Sequence, residues 1–387
     1  MTDVHPRMAL GTMHFGTRLS ATQSREILDA YLDLGGQWID TANCYAFWGS
    51  ETGFGGQSET VIGQWLADRG VRGQVRISTK AGAEPTRPHA FPDAVEGLGK
   101  DTVNRAIRDS LQRLQTERID MYWAHMEDRE QSVADVAETF GDLVEQGLTV
   151  RIGLSNHPAW YAAAANVYAQ QRGAAGFSAL QLRESYLHPR PDIPVEGEDH
   201  PHGMMTIESK DLAERCGLDL WAYTPLLTGA YEHPERPLPE AYVHPGTHNR
   251  LTALRTWSDR LAMKPSQVVL ALLNAQQPVI TPIVGSAASP SSLRRSRPPA
   301  SACLRRPSSS SSQPARPSGP EPVTSSTTAT DQHFLQGRRV FVSSLKFLLV
   351  CADSVAVAGA GVRAGQEGTR PLFHRRVWGG RRCRGAA

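Results

Sequence analysis

Four side chains able to handle a proton sit at the ends of strand-like runs. WIDTANCYAFW carries Asp40 and Tyr45, VRISTK carries Lys80, and IDMYWAH carries His125. Brought together, a phenol, an ammonium, a carboxylate and an imidazole make a general-acid site. A free tyrosine, with a pKa of about 10, is a weak acid near neutral pH. An adjacent ammonium favours its phenolate and a hydrogen-bonded imidazole shares its proton, so both ease its ionisation. A buried lysine tends to lose its own proton, and Asp40 is placed to supply the countercharge that keeps Lys80 ionised. Taken singly, each residue has a plainer reading: Asp40 a turn cap, Tyr45 a loop aromatic, Lys80 a surface charge, His125 a satisfied core histidine. Their order and spacing over three successive strands argue for the site.

Such a site needs a scaffold that ends several strands on one side. Strand-like runs alternate with helix-period segments at 22–34, 58–68, 101–114, 133–145, 158–171, 207–215 and 265–274. Eight strand candidates result, each but the last followed by a helix. Repeated strand–helix units imply a parallel sheet, and eight of them with apolar runs such as IDMYWA imply a closed (β/α)8 TIM barrel. Active sites in such barrels lie at the carboxyl ends of the strands, where the four residues fall. An open doubly wound sheet would carry a Gly-rich fingerprint after its first strand, which GTMHFG lacks. Two long loops, 188–205 after the sixth strand and 230–248 after the seventh, are expected on the catalytic face. Their histidines follow no ligand spacing, so no metal site is expected.

The segments DTANCY, STKAG, GLSN and WAYTPL resemble the aldo-keto reductase superfamily, and the resemblance extends over about residues 7–295. It implies a barrel that reduces a carbonyl with a nicotinamide cofactor, with Tyr45 as general acid, Lys80 and Asp40 tuning it, and His125 orienting the carbonyl. It further implies that Ser155, Asn156 and Gln181 hold the nicotinamide carboxamide and that Tyr223 stacks on its ring. Pro225, Leu226 and Gly229 of PLLTG match the loop that wraps the pyrophosphate. The adenosine end falls to Gly285, Ser286 and Arg294. Arg294 would favour NADP(H) by pairing with a 2′-phosphate, with NAD(H) left open. Positions after the strands make His14, Phe47, Trp48, Met126 and His157 candidates to line a partly aromatic mouth for a small carbonyl substrate. Glu184 stands where many relatives have an aromatic residue. A cofactor-binding regulatory subunit and an enzyme impaired by its C-terminus are the alternatives.

The formal net charge of +2 averages two unlike parts. Residues 296–387 carry 14 Lys+Arg against 4 Asp+Glu, which leaves residues 1–295 acidic. The division expected is a barrel over 1–295 followed by a Ser/Pro/Arg-rich tail with a disordered composition. The tail's Arg bias has the mark of a GC-rich gene read in a shifted frame; a genuine basic tail is the alternative. The eighth covering helix, expected to start near Ser291, runs into this change of composition. An uncovered strand face of several hundred Å² costs on the order of 10 kcal/mol. The apolar stretch 340–362 contains Lys346 and Asp353, which argues against a membrane span. No nucleic-acid or membrane partner is expected. The five cysteines form no CxxC pair and the N-terminus shows no signal-like run, so the expected compartment is the cytoplasm.

Overall fold

The structure is a computed structural model, and it describes residues 8–195, 203–233 and 235–285. The expected eighth helix, Ser286, Arg294, the tail 296–387 and the stretch 340–362 lie outside the described residues. Strands β1 (Ala9–Gly11), β2 (Trp38–Asp40), β3 (Arg76–Ala81), β4 (Met121–Ala124), β5 (Ile152–Ser155), β6 (Ala179–Arg183), β7 (Asp219–Tyr223) and β8 (Ile280–Gly285) close into a parallel barrel in sequence order. The seam is made by β1 and β8, with Ala9 opposite Ile283 and Gly11 opposite Gly285. Helices α1 (Ala21–Asp33), α2 (Gln57–Arg69), α3 (Lys100–Leu114), α4 (Val133–Glu145), α5 (Ala159–Arg172) and α6 (Ile207–Cys216) each follow one strand, while α7 (Pro245–Leu261) and α8 (Pro265–Asn274) both lie between β7 and β8. Among the described residues, no helix is long and apolar enough to cross a membrane.

Local chemistry fixes these boundaries. Ser20 and Thr206 start α1 and α6 with capping boxes, and Ser132 caps α4, each hydroxyl accepting an otherwise unpaired N–H. Gly70, Gly173 and Gly217 end α2, α5 and α6 in the left-handed region, which glycine enters without a Cβ clash. Outward-facing strand residues such as Ile39, Ile77, Tyr122, Leu154 and Leu180 are buried under the helices.

Helix α7 departs from the expected loop. Over PGTHNRLTALRTWSDRL only Thr247, Leu254 and Ser258 are buried, so the stretch reads as polar and shows no broad apolar stripe. Pro245 at its first turn, pre-set in φ, begins the helix. The loop after β7 therefore ends at His244.

Candidate active site

The barrel interior is plugged by aromatic side chains. Trp221 packs edge-on against Trp38 at 5.1 Å and against Trp123 at 5.5 Å between ring centroids. Gly153 makes room for this layer, because a Cβ there would lie 2.3 Å from the Trp123 ring. Trp123 Nε1 donates to Ser78 Oγ at 2.7 Å, and Ser78 Oγ donates to Asp40 Oδ1 at 2.7 Å. The tryptophan floor thus supports the polar layer above it.

That layer is built from strand ends in register. Asp40 pairs with Ser78 across β2 and β3, and Lys80 with Trp123 across β3 and β4. Lys80 Nζ, fully buried, lies 2.6 Å from Asp40 Oδ2 and donates to the Thr41 carbonyl at 2.7 Å. Gln181 Nε2 reaches Asp40 Oδ1 at 3.2 Å. Both carboxylate oxygens and the ammonium are therefore satisfied away from water, the condition under which a buried ion pair holds its geometry. The Tyr45 hydroxyl lies 3.4 Å from Lys80 Nζ. Gly56 and Ser58 N–H groups both donate to the Tyr45 carbonyl, which ties this turn to the start of α2.

His125 follows β4, its N–H donating to the Ala81 carbonyl at 2.8 Å. Its ring meets Tyr45 edge-on, centroids 5.9 Å apart, and its Nδ1 is 3.6 Å from Cys44 Sγ. Burial drives the His125 pKa well below 6.5, and the Lys80 charge adds to the effect. The imidazole is therefore neutral at physiological pH. Around Tyr45 stands an aromatic wall: Phe47 packs on Trp48 at 5.0 Å and on Phe91 at 5.4 Å, Trp48 packs on Tyr45 at 5.9 Å, and Met126 borders the same cluster. Trp48 is 42% exposed, an apolar ring left open to the mouth.

Two of the expected lining residues do not join this wall. His157 is buried, with Nδ1 donating to the Ser155 carbonyl at 2.7 Å and its ring on Tyr161 at 4.8 Å. His14 is half-buried after β1, and burial together with Arg18 lowers its pKa.

On the far side of the mouth, Ser155 is paired with Gln181 across β5 and β6. Asn156, at φ +59°, donates through Nδ2 to the His125 carbonyl at 2.9 Å, and its Oδ1 accepts from Tyr223 Oη at 2.9 Å. One bond network thus joins the two halves of the mouth. Arg183 lies over the Tyr223 ring, 5.7 Å from its centroid. The Pro225 carbonyl accepts from Ser185 Oγ at 2.6 Å. Leu227, Thr228 and Gly229 follow in left-handed conformation, and a Cβ on Gly229 would lie 2.7 Å from Arg236 Nη1. Gly285 ends β8 at the seam. The amides of Asn156 and Gln181 offer donors and acceptors that complement a carboxamide. The Leu227–Gly229 turn offers a compact backbone suited to phosphate. These residues fit a nicotinamide dinucleotide.

The aldo/keto reductase family model matches residues 7–297. The chain belongs to this family. Among its curated relatives, the aldo-keto reductase ausK of Aspergillus calidoustus is 37% identical over 187 residues, 46% of this chain and 45% of that protein. The aryl-alcohol dehydrogenase GME11368 of Pestalotiopsis microspora is 29% identical over 267 residues, 67% of this chain and 64% of its own length. The norsolorinic acid reductase stcV of Emericella nidulans is 29% identical over 292 residues, 72% and 70% of the two chains. In the first two, the match spans less than two thirds of the relative.

In this candidate site of an aldo/keto reductase family member, the sequence alone does not single out Ser78, Cys44, Phe91 or Arg183. Ser78 and Arg183 carried a signal, since each stands two residues from a chosen position on the same strand and so shares its face. Phe91 comes from the long connection between β3 and α3, where no periodicity points to the mouth.

Proposed function

We propose that this chain is an NADP(H)-dependent reductase that converts an aldehyde or ketone to an alcohol, with Tyr45 as the general acid. The observation that carries the reading is the dry Lys80–Asp40 pair at 2.6 Å, with the Tyr45 hydroxyl 3.4 Å from the same ammonium. Ser155, Asn156 and Gln181 would hold the carboxamide, Tyr223 the nicotinamide ring, and the backbone from Pro225 to Gly229 the pyrophosphate. The bound cofactor supplies the hydride that reduces the carbonyl carbon.

Every other part of the step falls to side chains. Tyr45 gives its phenolic proton to the carbonyl oxygen as negative charge develops there, so hydride and proton together complete the alcohol. The Lys80 ammonium stabilises the phenolate left behind, and Asp40 fixes that ammonium in place. His125, neutral because it is buried, donates an N–H to the same oxygen and orients the carbonyl. Phe47, Trp48, Phe91 and Met126 favour a flat aromatic carbonyl compound. The aryl-alcohol and norsolorinic acid names of two relatives support that choice. The NADP(H) preference rests on Arg294 by family resemblance, so NADH belongs in the test.

The test is oxidation of NADPH and of NADH with 4-nitrobenzaldehyde, with Tyr45→Phe as control. Turnover is expected with NADPH, falling by about 10²–10⁴ in the variant while cofactor binding persists. Cofactor binding without turnover of any aldehyde by the wild type would replace this reading with a cofactor-binding subunit.

A further inference from the structure

Cys44 stands immediately before Tyr45 in the turn that leaves β2, and the mechanism above does not use it. Its side chain is buried in a cluster with Ala42, Phe47 and Ala83, and Sγ lies 3.6 Å from His125 Nδ1. We propose that Cys44 is a positioning residue that sets the tautomer of His125, its S–H donating to Nδ1 so that the single ring hydrogen resides on Nε2. The inference rests on the carbonyl-reductase reading and extends it by one residue.

A neutral imidazole carries one N–H, and the hydrogen bond made by one nitrogen decides which nitrogen bears it. Neutrality of His125 follows from its burial and the nearby Lys80 charge. An unprotonated imidazole nitrogen is a good acceptor, whereas thiol sulfur is a weak one. The pair is therefore better made as S–H to Nδ1 than as Nδ1–H to sulfur. Nε2, across the ring from Cys44, then carries the hydrogen. In this tautomer His125 donates to the lone pair of a carbonyl oxygen; the other tautomer would set two lone pairs against each other. The consecutive residues Cys44 and Tyr45 thus prepare both hydrogen-bond donors for one oxygen. The turn that holds them is fixed by Tyr45 N–H donating to the Ala42 carbonyl and Phe47 N–H to the Cys44 carbonyl.

The test is the ¹⁵N spectrum of the imidazole nitrogens in cofactor-free wild type, Cys44→Ser and Cys44→Val, with His125→Asn identifying the signal. Wild type and Cys44→Ser are expected to show a protonated Nε2 and a bare Nδ1. Cys44→Val is expected to move population toward Nδ1–H. Its kcat for aldehyde reduction should fall about fivefold at unchanged KM for NADPH, with serine restoring most of the loss. A bare Nε2 in wild type, or a valine variant that keeps the wild-type tautomer, overturns the proposal. If the valine variant does not fold, the wild-type spectrum decides alone. Because the spectrum needs neither cofactor nor substrate, a protein with the expected tautomer and no turnover would defeat the proposed function and leave the Cys44 assignment standing.

Discussion

Among the described residues two lysine–carboxylate pairs have a buried carboxylate, one inside the mouth and one outside β6, and they are built to different standards. Inside, Lys80 and Asp40 meet at 2.6 Å, and Ser78, Gln181 and the Thr41 carbonyl use the remaining valences. Outside, Lys210 meets Glu184 and Gln276 Oε1, both at 3.2 Å, its side chain is 27% exposed, and Glu184 Oε2 is buried with no hydrogen bond among the described residues. Burial raises the Glu184 pKa and Lys210 only partly offsets it. The difference shows what a reacting centre demands of a scaffold. A pair that must hold one ammonium beside one phenol has every oxygen and every N–H occupied.

The sharpest way to break the comparison is to remove each lysine in turn. Lys80→Met leaves Asp40 buried without its cation and should cost about 3–5 kcal/mol in urea unfolding, together with nearly all turnover. Lys210→Met should cost less, about 1–3 kcal/mol, because burial raises the Glu184 pKa and the carboxyl can take up a proton once its cation is gone. Equal losses would show that the inner pair is no better built than the outer one. Ser78→Ala removes one of the bonds that distinguish the pairs and also frees Trp123 Nε1. About 1–2 kcal/mol of stability should go, with a smaller fall in kcat than for Lys80→Met. A serine variant with wild-type unfolding and kinetics would show that the floor does not support the polar layer.

Glu84 extends the series to a carboxylate with no ammonium or guanidinium within hydrogen-bond distance among the described residues. Its Oε1 accepts from the Gly55 N–H at 2.8 Å, and burial raises its pKa from 4.5 to about 7. The folded protein therefore holds a proton there that the unfolded chain has released between those two values. Its contribution is fully present below pH 4.5 and is lost as pH rises through about 7. Glu84→Gln should flatten the slope of Tm against pH in that window, a small effect. A slope unchanged in the variant would assign the pH dependence elsewhere.

The barrel was legible because strand–helix alternation is written in residue types, and its proposed reacting groups because Asp40 and Lys80 sit on strand ends in register, with Tyr45 and His125 in the turns just beyond. What stayed hidden was set by tertiary contact. Helix α7 buries too few apolar side chains to show a stripe, and Phe91 arrives from a connection without period. His157 carries the residue type of a lining group, yet its ring is bonded to the Ser155 carbonyl and packed on Tyr161. Ser286, expected at the adenosine end, and Arg294, expected to favour NADP(H), lie outside the described residues. The resemblance supplied their roles.

The seam between β1 and β8 governs how the molecule is made. Ala9, among the first residues described, finds its partner Ile283 only after every other strand has been synthesised. Until then the growing sheet carries two bare edges, each able to pair with another chain. An early stop before Ile280 would release an open sheet whose edges invite aggregation.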